Sequence, residues 1–113
     1  MWIVSTVGFF SVVQKPGETG LTVRARIRGD LEALRDRYLP NLGNIEESAH
    51  SDYRYRARAS HAEVASALAA ITTDVRYPNF KSAVGAIQGR HREGVYHEVW
   101  RVLRGISRGE VKS

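Results

Sequence analysis

A chain of 113 residues, 42% apolar and 26% charged, suits a single globular domain and excludes a disordered one. It has no cysteine, which excludes disulfides, thiolate chemistry and cysteine-based zinc sites. The net charge is +5, and fourteen of the seventeen basic residues are arginine. Guanidinium groups suit phosphate or carboxylate, but a GC-rich genome also favours arginine, so position has to decide.

The stretch Trp2–Val13 is rich in Ile, Val, Phe and Trp and is predicted as one strand. It is too short and too interrupted for a signal peptide or membrane span, so the cytoplasm is the default location. Ile3, Val7, Phe9 and Val13 fall on one side, and Trp2, Val4, Phe10 and Val12 on the other. A strand apolar on both faces is usually covered on both, here by a C-terminal helix or a second subunit, unless a bulge at Gly8 switches the alternation; each would shrink an open arginine face. Residues 14–20, with Pro16, Gly17 and Gly20, form a turn.

Leu21–Arg28 then alternates. Leu21, Val23, Ala25 and Ile27 point one way; Thr22, Arg24, Arg26 and Arg28 point the other. Asp30 is the expected N-cap of a first helix, closed by Pro40 and Gly43. Ile45–Ala49 is a weak strand. Tyr53–Ala59 alternates again, with Tyr53, Tyr55, Ala57 and Ala59 opposite Arg54, Arg56 and Arg58. Ser60 and Glu63 form a capping box for a second helix striped by Val64, Leu68 and Ile71. Pro78 opens a third helix with Phe80, Val84 and Ile87. A basic break, Gly89–Gly94, precedes a fourth helix with Val95, Val99, Val102 and Ile106. Fraying is expected from residue 107 to the end.

This order predicts an α+β fold. Without the first strand it reads β-α-β-β-α, a ferredoxin-like unit lacking its last strand. The N-terminal strand supplies the missing one. The expectation is one domain over 1–113: a circularly permuted ferredoxin-like sandwich with a four-stranded antiparallel sheet, helices on one face and extra C-terminal helices. Leu21–Arg28 and Tyr53–Ala59 become the central strands. Arg24, Arg26, Arg28, Arg54, Arg56 and Arg58 then share the other face as a polyanion-binding patch. Like charges paired across a sheet repel by up to about 1 kcal/mol, so something must offset them. Water, Glu46 and Glu47, or a bound polyanion would serve.

RNA recognition motifs bind nucleic acid on these same central strands, through aromatic side chains. Here arginine stands in those places, and the tyrosines are expected on the buried face. The blander reading is a solvated face whose arginines pair with local carboxylates. The implied partners are nucleic acid or an acidic protein surface. A second copy of the chain, held by the apolar first strand and the C-terminal helices, is the alternative. A pocket near Tyr53, Tyr55, His97 and Trp100 would suit a small enzyme. His91, Glu93 and His97 fit no common zinc spacing, and no nucleophile or phosphate-loop motif is present. No catalytic residue, metal, cofactor or membrane partner is therefore assigned.

Gly8-Phe9-Phe10-Ser11-Val12-Val13, Asp52-Tyr53-Arg54-Tyr55-Arg56-Ala57, Tyr77-Pro78-Asn79-Phe80-Lys81 and Tyr96-His97-Glu98-Val99-Trp100 resemble stretches in a group of small uncharacterised bacterial proteins. The resemblance implies a stand-alone bacterial domain and carries no activity, cofactor or site residue.

Overall fold

The computed structural model describes the backbone of residues 1–112 and the side chains of residues 1–109. The apolar N-terminal stretch is two strands rather than one. β1 (Trp2–Val4) and β2 (Phe9–Val13) pair antiparallel, with Trp2 opposite Ser11 and Val4 opposite Phe9. Ser5 holds the turn between them. Its hydroxyl donates to the Gly8 carbonyl at 3.0 Å and accepts from the Val7 and Gly8 N–H groups. This turn, not a bulge at Gly8, switches the alternation. Ile3 lies beside Phe10, while Trp2 and Val4 share a side with Phe9 and Ser11.

β3 (Leu21–Ala25) ends before the arginine alternation does. Arg26 and Ile27 leave the sheet, and α1 (Arg28–Arg37) has Ile27 at its N-cap. Asp30 is therefore in the first helical turn rather than at the cap. Its carboxylate is buried, accepts the Phe9 N–H at 3.0 Å and sits where a helix N-terminus favours negative charge. Gly8 makes room for it: a Cβ there would lie 2.6 Å from the Asp30 carboxyl carbon.

β4 is only Glu46–Glu47, and β5 (Tyr55–Ala59) begins two residues later than the alternation suggests. α2 (His61–Thr73) follows through the expected capping box. Ser60 Oγ accepts the Glu63 N–H at 3.1 Å, and Glu63 Oε1 accepts the Ser60 N–H at 2.7 Å.

The fold is α+β, with an open antiparallel sheet of five strands rather than four, in the order β1-β2-β3-β5-β4. Splitting the N-terminal stretch supplies the fifth. On one face Phe10, Val12, Val23, Ala25, Ala57 and Ala59 pack with Leu31 and Leu34 of α1 and Val64 and Ala67 of α2. Fully burying a side chain such as Phe10, Val23 or Leu31 stabilises by about 1.5–3 kcal/mol. This core fixes which face the arginines take.

The chain divides into two compact units, Met1–Arg76 and Tyr77–Ser113. The sheet, α1 and α2 form the first. In the second, Asn79 caps α3 (Phe80–Gln88) by accepting the Ser82 N–H at 2.8 Å, which leaves Pro78 outside the helix. The expected break shrinks to Gly89, whose φ of +96° suits glycine, and α4 (Arg90–Lys112) follows at once. Phe80 stacks on Tyr96 at 5.8 Å, and Val84 is fully buried. Gly85 faces the end of the Glu93 side chain, which a Cβ there would displace.

Candidate functional site

The sheet register brings two arginines face to face. Arg24 of β3 stands directly opposite Arg56 of β5, on the side away from the core. One cross-strand row runs Trp2, Ser11, Arg24, Arg56, Glu46. A neighbouring row holds Val13, Thr22 and Arg58. Both rows share the sheet's second face because alternate residues of a strand do.

The segment between β4 and β5 adds groups that the alternation pattern conceals. Tyr53 precedes β5 instead of belonging to it, so it escapes the buried face expected for it. Its ring lies beneath two guanidinium groups, Arg24 at 4.5 Å and Arg26 at 5.0 Å. Arg26 also donates to the Asp52 carbonyl at 3.2 Å. Arg56 donates to Ser51 Oγ at 2.6 Å and to the Tyr53 carbonyl at 3.1 Å. Arg24 donates to Ser11 Oγ at 2.7 Å. Trp2 meets Phe9 edge-on at 5.5 Å, and Phe9 lies 6.3 Å from Tyr53. The face thus interleaves aromatic rings with guanidinium groups.

The six arginines then separate by charge balance. Arg28 opens α1 and meets Glu32 at 3.6 Å. Arg54 meets Glu47 at 2.8 Å, and that hydrogen-bonded carboxylate raises the Arg54 pKa further. Arg58 pairs with Glu18. Arg24, Arg26 and Arg56 have only neutral acceptors, with no carboxylate in ion-pair contact among the described residues. Arg24 and Arg56 are half-buried, and the Nε atom of each is buried with no hydrogen-bond partner. Beside Arg56 an open groove of about 440 Å³ is lined by Lys15, Glu18, Thr22, Glu46 and Arg58.

Sequence reasoning named the arginines but missed Ser11, Ser51, Trp2 and Phe9. Serine carries little signal by itself, and the two aromatics were hidden by the undetected turn. Tyr53 and Tyr55 lie on opposite sides of the sheet, Tyr55 packing against the core. His97 and Trp100 belong to the second unit. There His97 stacks on Trp100 at 5.5 Å, and Lys81 Nζ reaches His97 Nδ1 at 3.1 Å and the Trp100 ring centre at 4.5 Å. Among the described residues no group of three His, Asp or Glu side chains is placed to hold a metal ion. Among the described residues no helix is long and apolar enough to cross a membrane.

Comparison with protein families, with curated proteins and with solved structures finds no match to this chain.

Proposed function

We propose that this chain is a non-enzymatic binding module that takes nucleic acid on the arginine side of its sheet, in the cytoplasm. One observation carries the reading: Arg24, Arg26 and Arg56 cluster with no carboxylate in ion-pair contact among the described residues, although Glu46 stands across the strand from Arg56. Two opposed guanidinium groups repel, at a cost of tenths of a kcal/mol to about 1 kcal/mol. Phosphate oxygens offset that repulsion, because guanidinium bonds them through parallel N–H groups. An array of phosphates suits an array of arginines better than a lone anion does. An acidic protein surface is the competing polyanion.

The strand order supports a finer reading. Taken without β1, the order β2-β3-β5-β4 is that of a circularly permuted ferredoxin-like unit, with β1 added at one edge. In that reading β3 and β5 are the central strands, the position that RNA recognition motifs use. The test is binding of oligonucleotides and of an acidic polypeptide, such as polyglutamate, at low ionic strength. Binding of oligonucleotide that is lost in Arg24→Glu with Arg56→Glu supports the reading. Equal binding by that variant, or binding of polyglutamate alone, overturns it.

A second reading rests on α4. Val95, Val99, Val102 and Ile106 recur at coiled-coil spacing, and Val102, Ile106 and Leu103 are 74%, 63% and 53% exposed. At 1.5 Å per residue α4 runs about 35 Å against about 14 Å for α3, so α3 cannot cover its full length. A second copy of the chain packed along that stripe must bury at least about 1,000 Å² to make a specific interface. Light scattering across a concentration series tests for the dimer.

A further inference from the structure

Trp2 is a large apolar ring in a strand, yet it is 68% exposed. Its backbone is also held in place. The N-terminal ammonium donates to the Val12 carbonyl at 2.8 Å, and the Val12 N–H donates to the Met1 carbonyl at 2.8 Å. The register then fixes Trp2 opposite Ser11. Its one aromatic neighbour among the described residues is Phe9, at an interplanar angle of 87°. A T-shaped contact occupies at most one face of the indole, so another face stays open. Core packing does not explain so exposed a ring on a backbone so fixed in register.

Trp2 lies in the same cross-strand row as Arg24 and Arg56. Strands lie about 4.8 Å apart, so the backbone of Trp2 is roughly 10 Å from that of Arg24 and 14 Å from that of Arg56. A short stretch of nucleic-acid strand spans that distance. One such stretch laid across the strands meets an open aromatic face at one end and guanidinium groups without an ion-pair partner among the described residues at the other. Tyr53 is not a second stacking platform, because Arg24 and Arg26 already occupy it. It positions those two arginines instead.

We infer that the nucleic acid this face takes is single-stranded, with an unpaired base stacked on Trp2 while Arg24, Arg26 and Arg56 hold the adjoining phosphates. This rests on the arginine face being a nucleic-acid site. The distinction follows from chemistry. Phosphate contacts do not tell a single strand from a duplex, since both present phosphate. A stacking platform does, because base pairing buries the base faces.

The experiment measures anisotropy of a fluorescein-labelled oligothymidylate of about twelve nucleotides, free and annealed to oligodeoxyadenylate, at one low salt concentration. The wild-type chain is expected to favour the single strand by about tenfold, the value of one stacked base. Trp2→Ala is expected to lose that preference while duplex affinity stays unchanged, and Trp2→Phe to restore most of it. In Trp100→Phe, where Trp2 is the remaining tryptophan, oligothymidylate is expected to quench the emission. Equal affinity for the two forms in the wild type, or an unchanged preference in Trp2→Ala, overturns the single-strand inference. It leaves the arginine site standing if Arg24→Glu with Arg56→Glu still abolishes binding. A wild type that binds neither form overturns both.

Discussion

Arg56→Met separates an arginine kept for a ligand from one kept for the fold. The substitution keeps the apolar stem and removes the charge. It relieves repulsion from Arg24, worth tenths of a kcal/mol to about 1 kcal/mol. It also removes a buried Nε without a partner, a gain of about 1 kcal/mol or more. Against this, the hydrogen bonds to Ser51 Oγ and the Tyr53 carbonyl are lost, at about 1 kcal/mol each. The terms oppose one another, so net stability is expected to change by no more than about 1 kcal/mol, a Tm shift within about 6 °C. The assay is thermal unfolding with and without inorganic phosphate, at ionic strength matched with chloride. Phosphate at a hundred times its Kd stabilises the native state by about 2.7 kcal/mol, and this gain is expected in the wild type and absent from Arg56→Met. A variant destabilised by more than about 3 kcal/mol refutes the reasoning. So does a phosphate gain equal to that of the wild type.

Gly8→Ala places a Cβ against the buried carboxylate of Asp30 and breaks its bond to the Phe9 N–H. Urea unfolding is expected to show a loss of about 2–3 kcal/mol. Ser60→Ala removes the α2 cap at a cost of about 1 kcal/mol in the same assay. The Ser60 backbone N–H and hydroxyl hold the Glu63 carboxyl below its ordinary range. That contribution is present above the ordinary carboxylate pKa and is lost as pH falls through the lowered value. Ser60→Ala should therefore make the acid limb of a Tm-against-pH curve only slightly shallower, because the Ser60 backbone N–H, the larger cause, remains. Val102→Glu puts a charge in the exposed stripe of α4, and light scattering is expected to show a monomer at concentrations where the wild type self-associates.

The core was readable wherever alternation or helical spacing was uninterrupted. Val23, Ala57 and Val64 lie where their periods place them. Errors arose where a local polar contact overrode the pattern. Ser5 turns a run that reads as one apolar strand, and this changes the side on which Trp2 and Phe9 stand relative to Phe10 and Val12. The arginine alternation continues through Arg28, but the helix begins there, with the Asp30 carboxylate fixed on Phe9. Charge balance was the least legible feature. It depends on which arginine reaches a carboxylate, and Glu18 lies forty residues from Arg58 in the chain. Periodicity placed Arg24, Arg56 and Arg58 on one face. Only the folded geometry distinguishes the paired Arg58 from the unpaired Arg24 and Arg56.

The salt dependence of oligothymidylate binding tests the central claim most directly. Three guanidinium groups that each neutralise a phosphate of a single strand give a slope of about −2 for log K against log salt. The wild type is expected to show that slope, and Arg24→Glu with Arg56→Glu to abolish binding at every salt concentration. No binding by the wild type at low salt, or an unchanged slope and affinity in the double variant, contradicts the account.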